Sequence, residues 1–233
     1  MGALSSIKLT TPTYEDKIPS TKAKVKIRPF RVGDEKTLLV ASQSEDLRQM
    51  SNALKSIVKN CVEPVDINEL TSYDIEYLFL KIRSKSVGET SNIGILCSVC
   101  DVANEIKVDL ESVTVDIPKD HSHFVKIEET IAFGMKDPDI DEILNNDLEN
   151  PESFGKIIVS AVKTVYHGEE VIEITDNDKE ELEELIDNMT SEQFQKIRDY
   201  FETMPRLRKK IEFECGSCGH FNEQILEGLS SFF

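Results

Sequence analysis

Tryptophan is absent from the 233-residue chain, and cysteine is scarce, with five residues. Positive charge is the next shortage: 27 Lys and Arg stand against 44 Asp and Glu, a formal net charge of −17. A duplex-binding protein needs a concentrated basic surface against phosphate, so nucleic acid is not expected as a partner. Proteins steered by an acidic field are. No apolar run approaches the roughly 20 residues that a membrane helix requires, so stable membrane insertion is not expected either. The opening Met1-Gly-Ala-Leu-Ser-Ser6 lacks the basic and apolar regions of a secretory signal. Met1-Gly2 with Ser6 does fit the myristoylation pattern, but that pattern is short and often accidental. Synthesis inside a cell is the expectation, and there thiols stay reduced and cysteine spacing reads as metal chemistry before disulfides. Catalytic signatures are missing as well: there is no Gly-x-Ser-x-Gly elbow, P-loop or dinucleotide fingerprint. Asp137, Asp139 and Asp141 alternate as in a calcium loop, yet Glu142 stands where glycine is needed and Leu148 where a bidentate Glu is needed. The expectation is a protein that is not an enzyme.

What is present suits a soluble globular protein, with 39% apolar and 30% charged residues and length for one large or two modest domains. Residues 1–22 read as an extended arm, followed by a short strand at Val25–Phe30. Helices are expected near Glu35–Ser42, then where Leu47, Met50, Leu54, Ile57, Val58 and Cys61 share one face, then over Ser72–Ser86 with Gly88 as the stop. Cys61 continues the apolar stripe and reads as core. Strand periodicity takes over at Ile93–Cys97, Glu105–Leu110, Val113–Ile117, Phe124–Glu128 and Ile131–Met135. Phe154, Ile157, Ile158, Ala161, Val162 and Val165 then suggest one amphipathic helix closing at Gly168. A very acidic helix over 178–188 follows, whose run 176–187 reads as a solvated face or a dock for a basic partner. Thr190-Ser-Glu-Gln193 is a capping box opening a helix through Phe194, Ile197 and Phe201, stopped by Pro205. Ile211–Cys215 and Phe221–Leu226 read as final strands. The expected fold is α+β, with mostly helical lobes around a small β unit. Its segments are an arm (1–22), an N-terminal helical lobe (23–90), a β unit (91–136), a helical insertion lobe (137–209) and a C-terminal return (210–233).

Cys97-Ser-Val-Cys100 and Cys215-Gly-Ser-Cys218 are the most specific motifs. Four thiolates satisfy tetrahedral zinc, and a two-residue gap lets both sulfurs of a tight turn face one point. Each pair lies between apparent strands, so together they read as a split zinc ribbon carrying one structural Zn²⁺. The gap between the pairs far exceeds the roughly 15–20 residues of a contiguous ribbon, which an inserted lobe accommodates. The competing reading is two unrelated pairs of ordinary reduced cysteines. Gly216 and Gly219 fit the second turn, where positive φ is useful. His220 sits close enough to substitute for a ligand, although four cysteines already complete the shell. His121 and His123 follow Pro118 in a polar turn without an obvious carboxylate partner, and read as solvated. A four-thiolate site leaves no open position for water, which disfavours a zinc hydrolase.

Several segments carry a family likeness: Lys26-Ile-Arg-Pro-Phe30 with Glu35-Lys-Thr-Leu-Leu39, Asp74-Ile-Glu-Tyr-Leu-Phe-Leu80 running into Arg83-Ser-Lys-Ser-Val-Gly-Glu89, the two Cys-x-x-Cys hairpins, Phe201-Glu-Thr-Met-Pro205, and Glu227-Gly-Leu-Ser-Ser-Phe-Phe233. Together they resemble the baseplate hub assembly proteins of T-even-type contractile-tailed phages, from about Ile18 to Phe233. The resemblance implies a non-enzymatic assembly factor or minor subunit of the central hub, with hub and tape-measure proteins as partners. The expected place is the host cytoplasm during assembly, with the virion tail beyond it. The alternative is a zinc-ribbon adaptor contacting nucleic acid or a polymerase through Arg206-Leu-Arg-Lys-Lys210, weakened by the overall charge. The arm before Ile18 and the tail Leu229–Phe233 are the expected interaction surfaces, with burial of the tail against the second hairpin as the competing outcome.

Overall fold

The computed structural model describes residues 9–44, 46–145 and 150–232. The myristoylation-like start and Phe233 lie outside them. In chain order the elements begin β1 (Tyr14–Lys17), β2 (Lys24–Ile27), α1 (Val32–Gln43), α2 (Leu47–Cys61), β3 (Val62–Glu63) and α3 (Ser72–Val87). They continue as β4 (Thr90–Leu96), β5 (Ala103–Asp109), β6 (Thr114–Asp116), β7 (Phe124–Lys126), β8 (Ile131–Met135), α4 (Ile140–Asn145) and α5 (Pro151–Ala161). The chain closes with β9 (Val162–His167), β10 (Glu170–Glu173), α6 (Lys179–Asp187), α7 (Ser191–Glu202), β11 (Arg206–Glu214) and β12 (Phe221–Glu227). The class is α+β, with several small antiparallel sheets. The chain divides into two compact units.

The first unit gathers the chain up to Leu70, residues 74–114 and the stretch from Arg208 onward. Within the segment read as an arm, β1 pairs with β2, which in turn pairs with β3. Asp46 caps α2 by accepting the Arg48 N–H at 2.9 Å, leaving the next turns free to bury Leu54, Ile57, Val58 and Cys61. Leu47, expected on that face, is exposed. α3 is buried nearly all round: Ile75, Leu78, Leu80 and Ile82 are each almost fully enclosed. A helix in that position must satisfy its own polar groups. Asp74 accepts from the Ser20 N–H and hydroxyl at 2.9 and 2.6 Å, and the Lys81 ammonium donates to the Glu111 carbonyl at 2.7 Å. Gly88 follows at φ +143°, a conformation that favours glycine, and ends α3.

The second unit comprises Thr71–Tyr73 and Val115–Leu207. A four-stranded antiparallel meander in the order β10-β9-β8-β7 shares one core with α5, α6 and α7. Phe133, Ile157, Ile158, Leu182, Ile197 and Phe201 meet there, and Phe154 packs edge-on against Phe201 with ring centres 5.2 Å apart. The stretch 137–209 is therefore not all helical, and strands β7 and β8 belong to the same core as its helices.

One amphipathic helix through Val165 was expected, and the structure corrects this. α5 ends at Ala161 and β9 begins at once, turning into β10 at Gly168, which has φ +60°. The physical cause is a bulge: Gly134 opposes Thr164, but Met135 opposes Val162, so Lys163 is the extra residue. The bulge lets Val162 and Val165, three apart, both point inward and imitate helical spacing. Thr190 caps α7 as the capping box requires, with Gln193 bonded back to the Thr190 N–H at 2.7 Å. In α6 only Leu182 and Ile186 are buried, which leaves the acidic residues as a solvated face.

Candidate metal centre

The first Cys-x-x-Cys closes the hairpin of β4 and β5, which pair from Thr90 opposite Asp109 to Leu96 opposite Ala103. The second closes the hairpin of β11 and β12, paired from Arg208 opposite Glu227 to Glu214 opposite Phe221. The two turns repeat each other bond for bond. The Cys97 N–H donates to the Val102 carbonyl at 3.0 Å, and the Cys215 N–H to the His220 carbonyl at 2.9 Å. The Asp101 N–H reaches the Cys97 carbonyl at 3.0 Å, and the Gly219 N–H the Cys215 carbonyl at 2.9 Å. Each turn then leaves through a left-handed residue directly after its second cysteine, Asp101 at φ 55° and Gly219 at φ 70°. Glycine takes that conformation freely, and aspartate is among the few other residues that tolerate it. Gly216, also expected to need positive φ, lies outside the left-handed region.

The two hairpins bring all four sulfurs together, each within 4.8 Å of the others. Cys97 Sγ lies 3.7 Å from Cys218 Sγ, and Cys100 Sγ lies 3.6 Å from Cys215 Sγ. Tetrahedral coordination with bonds of about 2.3 Å requires sulfur separations near 3.8 Å, so the thiols already stand at the spacing of a metal shell. All five cysteines are free thiols. Cys97 and Cys215 are buried, Cys100 is half-buried and Cys218 is exposed. Backbone N–H groups of Cys218 and Ser217 point at Cys215 and lower its thiol to about 6. The Val99 N–H leads the same effect at Cys97. At Cys100 the Val102 N–H works downward, but the neighbouring sulfurs of Cys218, Cys215 and Cys97 outweigh it and push the thiol to about 12. Four sulfurs in one cradle cannot all hold negative charge cheaply without a cation among them. The cluster can hold one tetrahedral metal ion.

Two residues in this site escape a reading limited to cysteines. Asn222, on β12, accepts from the Ser98 N–H and hydroxyl, each at 2.9 Å, and its amide N–H lies 3.5 Å from Cys97 Sγ. Asn104, on β5, accepts from the Gly216 N–H at 2.9 Å and directs its amide N–H to Cys215 Sγ at 3.6 Å. Each asparagine braces the opposite hairpin. The signal was legible: both motifs read Cys-x-x-Cys-x-x-x-Asn, at 97–104 and at 215–222.

The other candidates fall elsewhere. His220 is exposed and outside the cluster. Cys61 is core, with its S–H directed at Asp34 Oδ2 at 3.7 Å, and burial pushes its thiol to about 12. His121 and His123 were expected to be solvated and without a carboxylate. His121 is instead almost fully enclosed, and Asp137 stands beside both rings. Phe232 was a candidate contact residue of the tail. It is fully buried, held by a turn in which the Ser231 hydroxyl donates to the Glu227 carbonyl at 2.6 Å. The basic run 206–210 lies along β11, where acids answer it: Arg208 pairs with Glu227 at 2.8 Å, and Lys210 with Glu212 and Glu223 at 2.9 and 2.8 Å.

The site thus defines a protein whose two distant chain segments are tied at one cysteine cluster. The family model described as T4 bacteriophage base plate protein matches residues 11–233. The chain belongs to that family. No curated protein and no solved structure matches it. No described helix is long and apolar enough to cross a membrane.

Proposed function

We propose that this base plate protein is a non-enzymatic assembly factor or minor subunit of the central hub of a contractile tail. In this reading it assembles in the host cytoplasm through contacts with hub and tape-measure proteins. The observation that carries the reading is the family match over residues 11–233, and the hub assignment within it rests on the likeness of the motifs. Exposed apolar side chains on the cysteine hairpins and their strands support a protein-facing role. These are Leu96, Val99, Val102, Phe221 and Ile225. The adaptor reading is weaker, because the acids paired with Arg208 and Lys210 blunt the positive surface that phosphate would need.

In the same proposal the four cysteines bind one structural Zn²⁺, and the two hairpins form a split zinc ribbon. Sulfur spacing and an all-thiolate donor set favour zinc, and a closed shell suits a staple more than a reaction centre. The zinc would join β4–β5 to β11–β12, which lie before and after residues 115–207 in the chain.

The deciding experiment is co-expression with hub and tape-measure proteins of a T4-type phage, followed by affinity capture and mass spectrometry of captured material and purified virions. Retention with the hub proteins is expected. Capture only with peripheral baseplate proteins would overturn the hub assignment. Elemental analysis of the same preparation should give one zinc lost in Cys215→Ser, and an unchanged zinc content there would remove the ribbon.

A further inference from the structure

The second unit carries a cluster of ligating side chains that the cysteine centre does not involve. His121 and His123 precede β7, and the Met135 N–H donates to the His123 carbonyl at 2.7 Å, extending the β7–β8 pairing by one step. Asp137, two residues further on, is thereby brought beside both imidazoles. Asp137 Oδ2 lies 3.3 Å from His123 Nε2, and Asp137 Oδ1 lies 3.6 Å from His121 Nε2. One atom from each residue falls within 4.8 Å of the other two.

A second observation concerns the proton on His121. Its Nδ1 stands 3.2 Å from the Thr203 hydroxyl oxygen, which itself lies 2.9 Å from the Asp199 carbonyl and 3.2 Å from the Tyr200 carbonyl. Those carbonyls only accept, so they take the single hydroxyl hydrogen. With the hydroxyl hydrogen so placed, the hydroxyl oxygen is set to accept from the Nδ1–H tautomer of His121. In the neutral ring this leaves a lone pair on Nε2, which is buried and has no hydrogen-bond partner. It faces a carboxylate oxygen that already accepts from the Tyr200 hydroxyl at 3.1 Å. Two acceptors confronting each other in an enclosed site are costly unless something positive lies between them.

We propose that His121, His123 and Asp137 form a three-ligand site for a divalent transition-metal ion of the zinc class, with one coordination position open. Bonds of about 2.0–2.2 Å to imidazole and carboxylate place ligand atoms roughly 3–3.5 Å apart, which the 3.3 Å between Asp137 Oδ2 and His123 Nε2 meets, with His121 Nε2 3.6 Å from the other carboxylate oxygen. Two nitrogens and one oxygen suit zinc, cobalt or nickel, whereas calcium and magnesium demand more oxygen ligands. The supporting contacts are those a metal site uses: Thr203 fixes the His121 tautomer with Nε2 free to ligate, and Tyr200 orients the carboxylate. The side chains of His121 and Asp137 are 5% and 4% exposed, but that of His123 is 55% exposed. The open position therefore faces solvent on the His123 side, where water or a donor from another protein can complete the shell.

The test is equilibrium dialysis of the full chain against Zn²⁺, with bound metal measured beside His123→Ala. That ring is half in solvent, so without added Zn²⁺ the variant should melt at the wild-type temperature. Wild type should bind one equivalent more than His123→Ala, and Cys215→Ser should lose a different equivalent. Long-range ¹H–¹⁵N spectra should show His121 protonated at Nδ1, with its Nε2 signal shifted when Zn²⁺ is added. Substituting Co²⁺ should give one set of ligand-field bands that is lost in His123→Ala, while the thiolate site's own ligand-field and charge-transfer bands persist. Equal zinc content in wild type and His123→Ala would overturn the proposal. So would a His121 ring carrying protons on both nitrogens in the presence of Zn²⁺, since the proton would then be the cation between the rings and Asp137.

Discussion

Asn222 and Asn104 make matching bonds in different surroundings, and that contrast gives a sharp test of how the cysteine hairpins are held. Asn222 is 2% exposed, and it accepts from the Ser98 N–H and hydroxyl while donating to the His220 carbonyl at 2.9 Å and toward Cys97 Sγ. Asn104 accepts from the Gly216 N–H and donates to the Val102 carbonyl at 2.9 Å and toward Cys215 Sγ, but it is only half-buried. Truncation to alanine removes hydrogen bonds worth about 1 kcal/mol each, with about 1–3 kcal/mol more for any group left buried and unsatisfied. Water can reach the groups that Asn104 leaves, so Asn104→Ala should cost about 1 kcal/mol. Asn222 gives up three such bonds from a side chain that is almost fully enclosed, so Asn222→Ala should cost roughly 3–4 kcal/mol. For a chain of this size each kcal/mol lowers Tm by about 2–4 °C, giving losses of roughly 6–16 °C against 2–4 °C. Calorimetry of the two variants measures this directly. With zinc bound as proposed, a chelator competition should show it leaving faster from both, by about 10–100-fold, because each has lost a contact that orients one of the four sulfurs. Asn222→Asp keeps the bonds from Ser98 but sets a negative charge beside Cys97, so it should release metal at least as fast as the alanine variant. Equal Tm losses, or a larger loss for Asn104→Ala, would refute the reasoning.

Three further outcomes follow from the fold. Phe232→Ala should cost about 3–5 kcal/mol, because the ring is fully buried; a truncated protein of unchanged Tm by thermal scan would contradict that packing. Asp34 is held below its ordinary carboxylate range: burial opposes this, but the Arg31 N–H and the Arg28 guanidinium, each at 2.9 Å, prevail. A depressed carboxyl contributes stability above its unfolded value, near 3.8, and that stability is lost as pH falls through the lower folded value. Urea titrations of wild type and Asp34→Asn should therefore differ by a constant amount above about pH 5 and converge only below about pH 4; a difference that vanishes between pH 5 and 7 would be the wrong sign. Gly134→Ala places a Cβ 2.5 Å from Thr164 Oγ1 at the bulge, which should cost about 1–3 kcal/mol. Adding Thr164→Ala should recover part of the loss in denaturant melts, and no recovery would locate the strain elsewhere.

The elements easiest to read in the chain were those in which one period and one terminator agree. α2 lies where a single apolar stripe runs from an Asp46 cap to Cys61, and α7 lies where the box at Thr190 and the proline at 205 enclose it. α3 was legible for its ends but not for its depth. Its polar Asp74, Lys81 and Ser84 suggest a solvent face, yet all three are buried and bonded to partners distant in sequence, Ser84 to the Glu111 carboxylate. β9 was read as helix because a bulge gave two valines helical spacing, and no local signal in Val162–His167 announces the pairing with β8. β10 was missed altogether. It is an exposed edge, flanked by Glu170 and Glu173, with no apolar alternation to betray it.

The two candidate sites differ in legibility because their information is stored differently. A Cys-x-x-Cys turn encodes its own geometry within six residues, since the backbone bonds that aim both sulfurs are local to the turn. Each half can therefore be recognised separately, and the asparagine four residues after the second cysteine is part of the same local unit. What cannot be read locally is that each asparagine serves the other hairpin, because Asn104 and Gly216 meet only in the folded chain. The histidine cluster has no such unit. His121 and His123 share a turn, but their carboxylate belongs to the far end of β8 and their supporting Thr203 and Tyr200 to the end of α7 and its cap. An Asp fourteen residues from a histidine is unremarkable until the β7–β8 register sets them side by side. The orphaned His121 Nε2 is then what separates this cluster from an ordinary buried ion pair. A lone pair directed at a carboxylate has to be answered by a proton or by a metal, and the two leave different signatures on the same nitrogen.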